Sequence, residues 1–147
     1  MTPEQTLLVQ ETWQRLVPIA DAAATLFYER LFETDPELRP LFRRTDMREL
    51  RLRLVQAIGM AVGELDEPEN LVHIVAELGR RHAGYDVEDR HYDLVGAALL
   101  WTLERGLGSS WTPVVAEAWA SLYGFLAGTM REAARSASPS PEQPVAA

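Results

Sequence analysis

Residues 82–108 read HAGYDVEDRHYDLVGAALLWTLERGLG, and the folding of this stretch decides the rest. From Tyr92 to Leu107 it is a strongly apolar helix that GLGSS terminates. A second helix lies just before it, over about Leu71 to Ala83, and stops near Gly84. The junction, LGRRHAGYDVEDRHY (78–92), holds two of the three histidines, nine residues apart. Whether either imidazole does chemistry is the functional question.

Working outward, the helical period persists and strand-like alternation is hard to find. Thr2-Pro3-Glu4-Gln5 reads as an N-cap, a proline at the first helical position and a capping-box glutamine. Leu8, Val9, Trp13, Leu16 and Val17 are the apolar residues of the helix that follows. Pro18 starts a second helix, with Ala20, Ala24, Phe27 and Leu31 on one face and Tyr28 beside them. TDPELRPLF (34–42) is a short helical turn with a loop. Asp46 caps a long helix through Leu50, Leu54, Ile58, Val62 and Leu65, which DEPEN (66–70) breaks. Thr112-Pro113 repeats the cap-plus-proline signature and opens a last helix to about Arg135. Six of the nine prolines lie outside the tail, all at helix starts or in loops. This agreement predicts an all-α domain of about seven or eight helices over residues 1–135. The proline- and serine-rich residues 136–147 are expected to be disordered.

A chain of 147 residues, 47% apolar, is long enough to bury one sizeable core. Its formal charge of −8 argues against nucleic acid and against an anionic membrane surface. The absence of cysteine removes disulfides, thiolate metal sites, catalytic thiols and covalent haem attachment. The N-terminus has no basic start followed by an apolar run, and no window suggests a spanning helix. A soluble, cytoplasmic protein is expected.

Few residues stand out chemically. His73 and His91 read as solvated, the first beside polar loop residues and the second at a helix start after VEDR. His82 differs, with Leu78 four residues before it and a helix end just after. The helix dipole alone would explain a histidine there. Acidic pairs such as Asp66/Glu67 and Glu88/Asp89 read as solvated caps. Nucleophile elbows, phosphate loops, dinucleotide fingerprints and zinc or calcium motifs are absent.

Taken together, LFYERLFETDPELRPLF (26–42), the quoted stretch 82–108 and EAWASLYGFLAGTM (117–130) resemble single-domain bacterial globins related to the haem domain of flavohaemoglobins. The resemblance covers about residues 5–134, and LGRRH-x-GY is most similar to globins of thermophilic or acidophilic bacteria. It implies a globin fold around haem b, with His82 as the proximal ligand of the metal. Phe42 would pack on the porphyrin face, and Tyr28 and Leu54 would lie on the distal side. Leu50 falls one turn before Leu54, at the distal position. Val87 and Val95 match apolar ring contacts, and Tyr92 a tyrosine beside the proximal histidine. A carbonyl near Leu78 would orient the imidazole, and Arg80 or Arg81 could pair with the propionates.

Two departures bear on function. The relatives usually carry glutamine where Leu50 falls, so Tyr28 would act alone in a drier pocket; a register shift of one would bring Glu49 or Arg51 there, and Arg53 could fold inward. Flavohaemoglobins also place a glutamate on the last helix near the proximal tyrosine and histidine, and its aligned position is Ala134, with Glu132 on another face. The implied function is reversible binding of O2 and other diatomic ligands. The alternative is nitric oxide dioxygenation with an external reductase; a haem-based sensor or interaction module is the third reading.

Overall fold

The computed structural model describes residues 1–42, 45–83 and 88–136, without the side chains at 82, 83 and 136. Among them are six α-helices and three short 3-10 segments, fewer than the seven or eight helices expected. The helices are α1 (Pro3–Leu16), α2 (Ala20–Thr34), α3 (Met47–Gly63), α4 (Pro68–Ala83), α5 (Asp89–Leu107) and α6 (Pro113–Ser136).

The caps that the sequence announced are made. Thr2 Oγ1 accepts from the Gln5 amide at 3.1 Å and Gln5 Oε1 from the Thr2 amide at 3.0 Å, closing a capping box. Asp46 Oδ1 accepts from the Arg48 amide at 2.9 Å, and Thr112 Oγ1 from the Val115 amide at 3.2 Å. Gly108 ends α5 with φ +55°, a conformation that costs glycine little. Three helix starts differ from expectation, one of them α5, which begins at Asp89 and not at Tyr92. Pro18 lies inside a 3-10 segment, Val17–Ile19, and α2 begins only at Ala20. The helix expected from Leu71 starts at Pro68, where a missing amide hydrogen costs nothing.

The helices pack with α4 on α6, α2 on α5 and α3, α1 on α6 and α3, and α5 on α6. The main core joins Val9, Trp13 and Leu16 of α1 to Leu103, Leu107, Val115, Trp119 and Leu122. Trp119 Nε1 donates to Thr12 Oγ1 at 2.9 Å, so the buried indole leaves no polar atom unmet. A second cluster, around Phe27, Tyr28, Leu31, Leu38 and Ala98, carries the candidate site. No described helix is long and apolar enough to cross a membrane.

Candidate functional site

The α2 helix buries Phe27, Tyr28 and Leu31 together, because positions three and four apart share a face. The Tyr28 ring stands edge-on to Phe27 at 5.0 Å and to Phe42 at 6.2 Å. Phe32, 6.1 Å from Tyr28, also meets Phe42 at 5.6 Å. Around these rings pack Leu50 and Leu54 of α3 and Leu94 and Val95 of α5, all only partly buried. The Tyr28 hydroxyl reaches the Leu50 carbonyl at 3.5 Å, the long limit of a hydrogen bond. Burial pushes its phenol up to about 12, so it remains a protonated donor at neutral pH.

These residues fit a flat apolar cofactor. Phe42, Leu50, Leu54, Leu94 and Val95 leave apolar surface partly uncovered around one loosely engaged hydroxyl. Away from a corner where Ala61 meets Leu71 and Val75, α3 packs on α1 and α2 while α4 packs on α6. A plate entering between α3 and α4 would therefore displace little existing packing. Two surface clefts, one along Leu7, Trp13 and Gly59 and one along Asp21, Asp46 and Arg51, lie outside this set.

Glu49 and Arg53 pair with each other at 2.6 Å on an exposed face, and Arg51 reaches Asp21 at 3.1 Å. Leu50, not its neighbours, packs with Tyr28.

His82 lies in the last turn of α4, and its side chain is outside the described residues, as is Val87. The backbone that carries it is held closely. A Cβ built on Gly79 would lie 2.5 Å from the Met130 carbonyl oxygen, so only glycine lets α4 approach α6 this far. Leu78, half-buried, precedes His82 by one turn. Arg80 and Arg81 both reach Glu77, at 2.9 and 3.7 Å, on an exposed face.

Tyr92 is buried at the start of α5, and desolvation raises its phenol above the ordinary value. The Tyr123 hydroxyl donates to the Tyr92 carbonyl, and the Tyr123 ring fills the space that Gly96 leaves. Over the Tyr92 ring lies the Arg131 guanidinium, 5.0 Å from the centroid. Ala134 is half-buried and Glu132 exposed.

The expectation for His91 is corrected. It is 6% exposed, and its Nδ1 accepts from the Glu88 amide at 2.9 Å, capping α5. The polar run VEDR suggested solvent, but the helix turns the imidazole inward. Arg131, Tyr123 and Gly79 carried no functional signal in the sequence. Only the eight-residue spacing of Tyr123 and Arg131, two turns on one face of α6, could have linked the first two.

Comparison with known proteins settles the family. The Globin family matches residues 25–130. The chain is a globin. It is 32% identical over 103 residues to a flavohemoprotein of Bacillus subtilis (strain 168), covering 69% of this chain and 26% of that one. A flavohemoprotein of Bordetella pertussis is 31% identical over 129 residues, 86% of this chain and 32% of the other. This globin thus spans about a quarter to a third of those relatives. A neuroglobin of Tetraodon nigroviridis is 28% identical, with 84% of this chain and 86% of that one covered. The crystal structure of a hexacoordinated heme protein from an anhydrobiotic tardigrade superposes with TM-score 0.83 at 16% identity, covering 92% and 96% of the two chains. That likeness shows the fold. Family membership makes haem b the cofactor of this globin, and globins as a family bind diatomic gases.

Proposed function

We propose that His82 holds haem b in the slot between α3 and α4, and that the protein binds O2 and other diatomic ligands reversibly beneath Tyr28. The observation that carries this reading is the Tyr28 hydroxyl, buried, protonated and loosely held among Phe42, Leu50 and Leu54. Haem, when bound, supplies an iron with a coordination position open to a small gas molecule.

The chain's own groups do the rest. His82 would hold the iron through one imidazole nitrogen, with the Leu78 carbonyl as acceptor for the other. Phe42, Leu54, Val87 and Val95 would supply apolar contact area, the main source of cofactor affinity. Arg81 would pair with a propionate. Tyr28 would donate to the gas ligand and slow its escape. Leu50 cannot donate and keeps water out.

An absorption spectrum of the purified protein tests the reading. An intense Soret band with a b-type pyridine haemochrome is expected, and His82→Ala should lose it or shift it to a different coordination pattern. A folded His82→Ala protein with an unchanged spectrum would refute the assignment.

The flavohemoprotein relatives favour a second reading, nitric oxide dioxygenation with a separate cytoplasmic reductase. Sustained nitric oxide consumption with NADH and a reductase would establish turnover; a single burst would leave gas binding as the function.

A further inference from the structure

The meeting point of α4, α5 and α6 holds a cation turned inward. Arg131 is 27% exposed, its guanidinium covers the Tyr92 ring, and its Nε is buried with no hydrogen-bond partner among the described residues. Its Nη2 donates to the Asp89 carbonyl and to Asp93 Oδ1, both at 3.1 Å. The carboxylates that neutralise it formally, Asp89 and Asp93, are 74% and 83% exposed. Water screens part of their charge while the guanidinium faces protein, so they offset it only in part toward the interior.

Arg131 follows Met130, whose backbone touches Gly79. His82 lies three residues beyond Gly79, about 4.5 Å further along α4 at the ordinary helical rise. Of the nearby basic residues, Arg80 and Arg81 are turned to Glu77 and solvent, and the exposed Arg135 reaches Asp89 at 4.0 Å. The backbone next to Arg131 thus meets α4 one turn before the proposed haem ligand, while its guanidinium reaches over the start of α5.

We infer that Arg131 is a tuning residue, which raises the ferric/ferrous midpoint potential of the haem and so holds the protein in its ferrous, gas-binding state. The inference rests on the haem reading above. Its physical basis is that a fixed positive charge disfavours the more positive, ferric iron; the one electron that reduces ferric to ferrous comes from an external donor.

The test is a spectroelectrochemical titration of the haem-loaded protein, with a chemical mediator as electron donor. Arg131→Gln should favour the ferric state about tenfold, which for a one-electron couple lowers the midpoint by about 59 mV. Arg131→Lys, which keeps the charge, should stay close to the parent. A glutamine variant with a normal Soret band and an unmoved potential would overturn the inference, as would equal shifts in both variants. Should Arg131→Gln fail to fold, the exposed pair Asp89→Asn with Asp93→Asn provides the opposite perturbation. Its midpoint should rise, and a constant or lower value would overturn the inference. Failure of the haem reading looks different: the parent itself would then lack a Soret band that depends on His82.

Discussion

Gly79→Ala tests the close crossing of α4 on α6 that holds the His82 turn in place. The added Cβ would lie 2.5 Å from the Met130 carbonyl oxygen, 2.7 Å from its Cα and 3.0 Å from its carbonyl carbon. All three are backbone atoms within a helix, so none can swing aside as a side chain would. Restoring ordinary contact requires the helices to separate by about 0.9 Å, and overpacking of this kind costs about 1–3 kcal/mol. Alanine returns about 1 kcal/mol through helix propensity. The net loss should fall at about 1–2 kcal/mol, because Leu71, Val75, Leu126 and Met130 must loosen as well. Gly124→Ala and Gly128→Ala provide the control. Both glycines lie in α6 with nothing within 4 Å of an added Cβ, so each should gain up to about 1 kcal/mol. A difference of about 1–3 kcal/mol separates the two classes, or about 2–12 °C in Tm for a domain of this size. Thermal melts followed by circular dichroism, on apo and haem-loaded protein, measure it. If Gly79→Ala melts with Gly124→Ala, or above the parent, the steric reasoning fails.

Other consequences can be measured directly. Tyr28→Phe should speed O2 dissociation about 10- to 100-fold in stopped flow, from a lost donor worth about 1.5–3 kcal/mol; an unchanged rate would place the hydroxyl away from the ligand. Leu50→Gln brings a second donor to the face that packs on Tyr28 and should slow O2 release severalfold or alter the ferric spectrum. The Tyr28 phenol, raised from 10.0 to about 12, is protonated in the folded protein where the unfolded chain has ionised. Its contribution to stability is therefore complete below pH 10 and lost as pH climbs through about 12. Alkaline thermal melts should show this decline, and Tyr28→Phe should flatten it, leaving the part due to Tyr92 and Tyr123, which burial raises likewise.

How much of this was legible in the sequence depended on the range of the interaction. Caps at Thr2, Asp46 and Thr112 close hydrogen bonds within three residues, so their partners are visible in the same short window. Pro18 misled because proline opens a 3-10 turn as readily as an α-helix, and α2 waited until Ala20. The expected seven or eight helices become six among the described residues, with Val17–Ile19, Pro36–Phe42 and Gly108–Ser110 forming 3-10 segments instead. His91 was misread because its neighbours are polar while its burial is set by the direction in which α5 leaves its first turn. Leu50 was placed by counting back from His82, and the packing around Tyr28 turned that residue inward while Glu49 and Arg51 found exposed partners.

The sequence by itself determined the capped helix starts at Thr2, Asp46 and Thr112, which faces are apolar, and the membership of the globin family, because those signals lie in local spacing and order. Only the tertiary structure decided that Gly79 touches Met130, that Tyr123 bonds the Tyr92 carbonyl, and that Arg131 covers the Tyr92 ring. Each of these joins residues about 30 to 50 positions apart in the chain, and a contact across that span follows from how whole helices pack, which no local pattern records.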